Sequence, residues 1–191
     1  MVLILYLMDQ ILEDTLLYSD IDIPVVALKK TSYKMGLLEI KLKPGTKTQI
    51  PFRILKTLSE KGDVKPDIDE IMNLTTLNKI QWKEEKSSEL VKIEEGFYLK
   101  TKLFFEILKE RIKEGDEKAE IIFRKAKILI SDIVRRRISK IVRLAVANPR
   151  PSRELMEKMT REEKIFYTKI CAEIDFWTNG LVNFTLGEKH E

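Results

Sequence analysis

The sequence predicts an α+β protein, with a small β-rich module over residues 1–66 followed by a mainly α-helical bundle over residues 67–191. Three observations lead there. Short β-branched or alternating runs around a Pro44-Gly45 pair mark a sheet in the first third. From Asp67 onward apolar residues recur every three or four positions, the period of an amphipathic helix. Finally, the stretch from Glu117 to Ala147 contains no Gly or Pro and is apolar on more than one side.

Composition narrows the class. Charged residues make up 35% and hydrophobic ones 43%, so a core is affordable beneath a heavily charged surface. The net charge of +4 is a small surplus on a mixed surface and by itself does not indicate nucleic acid. Cys171 alone cannot form an intrachain disulfide and fits a reducing cytosol. His190 is the single histidine, so a histidine-based metal site or catalytic triad is not expected.

The opening MVLILYLM is too short to span a bilayer, lacks a basic leader, and runs into Asp9, Glu13 and Asp14. With Leu5, Met8, Ile11 or Leu12, and Leu16 at helical spacing, it predicts a buried amphipathic helix or a strand-helix start in a soluble protein. Residues 23–30 and 36–43 then read as strands, separated by Tyr33, Lys34 and Met35. Pro44-Gly45 turns the chain, and TKTQI resumes the alternation, giving a small antiparallel sheet. Pro51 suits a first helical turn; Phe52, Leu55 and Leu58 share a face, and Gly62 is placed to end that helix.

DIDEIMNLTTLNKIQWKEEKSS predicts a helix that becomes fully polar from Lys83. Gly96 precedes FYLKTKLFFEILKERI, dense enough in Tyr98, Leu103, Phe105, Ile107 and Leu108 to be buried, and Gly115-Asp116 breaks it. The long segment that follows spans roughly 45 Å if helical. Its first stripe is Ile122, Ala126, Leu129 and Ile133, and a second, Ile130, Val134, Ile138, Ile141 and Ala145, starts before the first has ended. Such a rod needs cover from two directions, some of it supplied by another chain. Asn148-Pro149 and Pro151 stop it. Thr160 and Glu163 form a capping box in sequence, opening a helix through Ile165, Phe166, Ile170, Ile174 and Trp177, with Gly180 as the expected end.

No Gly-rich phosphate loop, GxSxG, paired Cys or His-Glu cluster occurs, and no cofactor is implied. The acidic residues, as in Lys83-Glu84-Glu85-Lys86, read as solvated helix faces rather than a catalytic dyad, and Cys171 as a small core residue. Arg135, Arg136, Arg137, Lys140 and Arg143 stand out on the rod, with Arg150 and Arg153 beyond its end. Arg136, Lys140 and Arg143 can line up, while Arg135 and Arg137 flank the apolar stripe and can bury their stems against it. Three readings of this cluster stay open: solvated or carboxylate-paired surface, inter-subunit ion pairs, or phosphate contact. No aromatics interleave, which argues against a single-strand stacking platform.

The order of motifs resembles the subunits of GINS, the four-part replication factor that joins the MCM helicase motor to a Cdc45-like partner. GLLEIKLKPGTKTQIPFRILKTL is similar to the stretch in which a short sheet leads into "PLWLA" and a helix, through Ile50, Pro51, Phe52, Ile54 and Leu58, with Arg53 where tryptophan is frequent. EEGFYLKTKLFFEIL resembles "PYYMELTKLLL" through Phe97, Tyr98, Thr101, Lys102 and Leu103. VRRRISKIVRLA resembles "R-I-x-K-I" through Arg137, Ile138, Lys140 and Ile141, and MTREEKIFY resembles "L-T-x-E-E" through Thr160, Glu162 and Glu163. A β module ahead of the helices is similar to the class of the second and third eukaryotic subunits and their archaeal counterpart. The Lys- and Ile-rich, His-poor composition is compatible with a thermophilic archaeon.

The resemblance implies a noncatalytic scaffold in a heterotetramer with helix-first GINS subunits. It would bridge the MCM helicase to a Cdc45-like or RecJ-like protein, with primase a further candidate partner. DNA contact would be indirect or weak, no membrane would be involved, and the location would be cytoplasmic and nucleoid-associated. Phe105, Ile130, Val134, Ile138 and Ile141 are then expected at the subunit interface, and Arg136, Lys140 and Arg143 at polar interface or phosphate contacts. The alternative function is a nucleic-acid-binding accessory subunit, for example of primase, using the arginine cluster.

Overall fold

The computed structural model describes residues 18–35 and 38–187. The opening segment with Leu5, Met8, Ile11, Leu12 and Leu16, and also His190, lie outside the described residues. Among the described residues the architecture is α+β, a strand-rich stretch up to Pro66 that contains one helix, followed by helices. In chain order come β1 (Asp22–Ala27), β2 (Thr31–Met35), β3 (Leu38–Leu42), β4 (Lys47–Pro51), α1 (Phe52–Glu60), β5 (Val64–Pro66), α2 (Ile68–Ile71) and α3 (Leu74–Lys86). Then follow α4 (Phe97–Lys113), α5 (Glu117–Ala147), α6 (Arg153–Met156) and α7 (Arg161–Leu186). Among the described residues β content ends at Pro66, whereas compact packing groups those up to Leu77 with Gly96–Ala126, and Asn78–Glu95 with those from Lys127 on.

In the first unit β1 is the centre of an antiparallel sheet in the order β4-β1-β5. Ile23 pairs with Ile50, Ala27 pairs with Val64, and all four side chains are buried. Pro24 lies in this central strand without breaking it. Its register partner on β4 is Gln49, and β5 pairs with β1 only from Val25 onward, so the missing N–H falls beyond the β5 ladder, where the Pro24 carbonyl still accepts from Asp67 N at 3.0 Å. β2 and β3 form a separate antiparallel pair, with Thr31 opposite Leu42 and Tyr33 opposite Ile40. The expected separator at residues 33–35 is therefore itself strand, because TSYKM alternates in register with LEIKL.

α1 buries Ile54, Leu55 and Leu58. It ends in a Schellman motif: Asp63 N donates to Leu58 O and Gly62 N to Ser59 O, both at 2.9 Å, with Gly62 at φ 67°. The helix expected from Asp67 breaks in two at Met72-Asn73. Asn73 is a cap, its Oδ1 accepting from Thr76 N at 2.9 Å to start α3. α2 packs on β1 and α4, and α4 buries Phe97, Leu99, Phe104 and Leu108. Arg111 holds Asp116 at 2.6 Å, and Asp116 Oδ1 accepts from Ala119 N to begin α5.

In the second unit Leu90, Ile141, Ala145, Met159, Tyr167 and Cys171 form one apolar cluster, with Leu144, Phe166, Ile170 and Ile174 packed against it. The Thr160–Glu163 capping box is formed at the start of α7. Gly180 does not end that helix. A glycine inside a helix costs only about 1 kcal/mol relative to alanine, and α7 continues to Leu186, where Gly187 at φ 70° closes it.

Gly62→Ala forces a Cβ into the left-handed region, so stability is expected to fall by about 1–2 kcal/mol. Urea unfolding of the purified chain measures it; an unchanged midpoint would mean that this turn does not hold the sheet unit.

Candidate assembly interface

α5 carries all but Phe105 of the residues singled out in the sequence for interface contacts, and its geometry sorts them. At about 100° per residue, a line through Ala119, Ala126, Ile133, Arg137, Lys140, Ile141 and Ala145 faces inward, and each of these residues is buried. Two of the cations therefore enter the interior of the second unit. There they meet Glu84 of α3, which is 1% exposed.

Arg137 grips Glu163 with both arms of its guanidinium: Nε donates to Oε1 at 2.6 Å and Nη2 to Oε2 at 2.7 Å. Its Nη1 donates to Glu84 Oε1 and, at 2.6 Å, to the Val91 carbonyl, and Nη2 also reaches the Lys158 carbonyl at 3.0 Å. Lys140 Nζ donates to Glu84 Oε2, to the Glu84 carbonyl at 2.8 Å and to the Glu89 carbonyl at 2.9 Å. Glu163 Oε2 also accepts from Thr160 N at 3.0 Å, so the capping box of α7 and the ion network share one carboxylate. Two cations face two anions, and neutral carbonyls take further donors. Desolvating charges is costly unless they are paired and their hydrogen bonds filled, as they are here.

Lys140, expected at a polar interface or phosphate contact, has its ammonium enclosed and occupied within one copy. Glu84 is not part of a solvated face. Both were findable from spacing: Glu84 lies seven residues after the buried Leu77, and Arg137 and Lys140 lie in register with Ile133 and Ile141.

The other cations stay outside. Arg136 Nε donates to Asp132 Oδ2 at 2.8 Å, and Gln81 Nε2 to the same oxygen at 2.8 Å. The Arg136 bond first, then that of Gln81, holds the Asp132 carboxyl below the usual carboxylate range. Arg135 and Arg143 are exposed, and Arg143 Nε makes only a long 3.4 Å bond to Ser139 O. These arginines line an open groove whose walls also carry Glu85 and Asp132, so its sign is mixed.

Among the expected apolar contacts, Ile141 lies wholly inside its own core. Ile130, Val134 and Ile138 are half-buried on α5. Phe105, in the first unit, is half-buried with its ring edge-on to Phe123 at 5.1 Å. Among the described residues a further group of exposed large apolar side chains lies on the last three turns of α7, where Trp177 is 61% and Phe184 84% exposed beside Phe176, Leu181, Val182 and Leu186. Stopping the helix at Gly180 hid this surface; the signal was the uncharged run FWTNGLVNFTLG over residues 176–187.

Residues 71–180 match the Sld5 family model, described as the GINS complex protein helical bundle domain, over more than half of the chain. The chain belongs to the GINS family. Comparison with curated proteins gives no match. The matched region begins at the end of α2 and runs through α3, α4, α5 and α6 into α7, so it contains the ion network of Glu84, Arg137, Lys140 and Glu163. Membership places this GINS subunit in a multi-subunit replication complex. No helix among its described residues is long and apolar enough to cross a membrane, and no group of His, Cys, Asp or Glu there is arranged to hold a metal ion.

Arg137→Met leaves Glu84 and Glu163 buried without their main partner, with an expected cost of about 3–5 kcal/mol. Arg136→Ala, at the rim, costs less than about 1 kcal/mol. Urea unfolding of the two variants separates them, and equal losses would refute the division into core and rim.

Asp67, Asp116 and Asp132 all titrate below the usual range, held by Lys47, by Ala119 N with Arg111, and by Arg136 with Gln81 respectively. A folded value below the unfolded one contributes stability above about pH 4, lost as pH falls through the folded value. Thermal melts are expected to move down from pH 5 to pH 2.5, with a shallower fall in Asp132→Asn.

Proposed function

We propose that this chain is a noncatalytic scaffold subunit of GINS, of the sheet-first class, that assembles with helix-first subunits into a heterotetramer. The assembly holds the MCM helicase and a Cdc45-like or RecJ-like partner together at high effective concentration, with primase a further client and DNA contact indirect or weak. The observation that carries this reading is the uncovered apolar end of α7. A concentration of exposed apolar side chains of that kind on a chain that is 35% charged marks a protein-contact surface rather than a solvated one. Half-buried Ile130, Val134 and Ile138 extend the apolar surface along α5, and Phe105 is a contact offered by the first unit. The ion network supports the same reading, because a bridge transmits position only if its own helices are fixed.

The exposed Arg135 and Arg143 favour a second reading, nucleic-acid binding, which the carboxylates of Glu85 and Asp132 in the same groove weaken. Light scattering of the chain mixed with a helix-first GINS subunit from the same genome decides between them. A stable mixed assembly, with DNA affinity unaffected by Arg135→Ala and Arg143→Ala, is expected. Absence of any mixed assembly, together with salt-steep DNA binding lost in those variants, would overturn the scaffold in favour of the second reading.

A further inference from the structure

We infer that the last three turns of α7 insert into a two-walled, uncharged apolar groove of another helical chain, rather than lying along it by one face. The inference rests on the scaffold reading and specifies how the contact is made. Trp177, Leu181 and Phe184 follow one another at spacings of four and three and so share a face of the helix. Val182 and Leu186, four apart, lie roughly 150° around the helix from that face at about 100° per residue. Phe176 stands between the two, edge-on to Trp177 with ring centres 6.1 Å apart.

All six side chains are exposed, and residues 176–187 contain no charge of either sign. A helix that is apolar on opposed sides is an interior helix of some assembly. The lack of charge matches a groove of apolar and neutral walls and fits neither phosphate nor an acidic or basic surface. The exposed area is on the order of 800 Å², about what one partner contributes to a standard interface. A second copy laid antiparallel along the first face would leave Val182 and Leu186 in water, which is why the occupant is a groove in a different chain.

Trp82→Phe leaves Trp177 as the single tryptophan and reporter. In that background the unaltered helix end is compared with Leu181→Asp and Leu186→Asp, which change exposed positions on opposite faces and are expected to leave the melting temperature of the isolated chain unchanged. Upon mixing with a helix-first GINS subunit, acrylamide quenching of Trp177 is expected to fall, and each substitution is expected to weaken assembly by about tenfold or more. Loss with Leu181→Asp alone would overturn insertion in favour of one-faced packing, leaving the scaffold intact. A homodimer of the isolated chain, broken by Leu181→Asp only, would assign the surface to a second copy. Binding of phosphatidylcholine vesicles that shields Trp177 would assign it to a lipid surface. If the unaltered chain forms no mixed assembly, the scaffold reading fails and the insertion fails with it.

Discussion

The guanidinium of Arg137, enclosed between the carboxylates of Glu163 and Glu84, is the interaction on which the second unit depends. It joins α3, α5 and the start of α7 with bonds of fixed direction, which apolar contacts do not provide. Leu90, Ile141, Met159 and Tyr167 supply the area removed from water next to it. Their packing is permissive to small slides, whereas a planar fork on a carboxylate is not. The network therefore sets the register of the helices, and the apolar cluster supplies most of the driving force.

Placing two cations in the core also changes what remains outside. Arg135, Arg136 and Arg143 form a much smaller basic group once Arg137 and Lys140 have turned inward, and Asp132 neutralises one of its members. The result is a groove of mixed sign on α5 and an uncharged apolar surface at the end of α7. Arginine-rich sequence and basic surface are different properties, and the helical period converts one into the other.

The fold class was legible because sheet and helix periods are written in separate stretches. Glu117–Ala147 could be bounded in full from its lack of Gly and Pro and from the Asp116 and Asn148-Pro149 stops. The Thr160–Glu163 box was equally readable, since capping is local chemistry. Less legible were features settled by tertiary partners. Residues 33–35 look like a connector until they face LEIKL, and Glu84 in KEEK looks solvated until two cations arrive from residues more than fifty positions away. Gly180 looked like a stop because glycine is a common helix terminator, but only Gly187 takes the left-handed conformation that termination uses. In the candidate interface, the half-buried apolar residues of α5 were visible as a stripe. The exposed apolar group on α7 was missed through that one boundary.

Glu163 belongs at once to the first turn of α7 and to the buried charges. Helix ends ordinarily fray on fast timescales, because their terminal amides gain almost as much from water as from their caps. Here unwinding the first turn would strip a carboxylate from an enclosed guanidinium, so amide exchange at the beginning of α7 is tied to opening of the whole unit. The helix is clamped at its root and bare at its tip, the mechanical form of a cantilever.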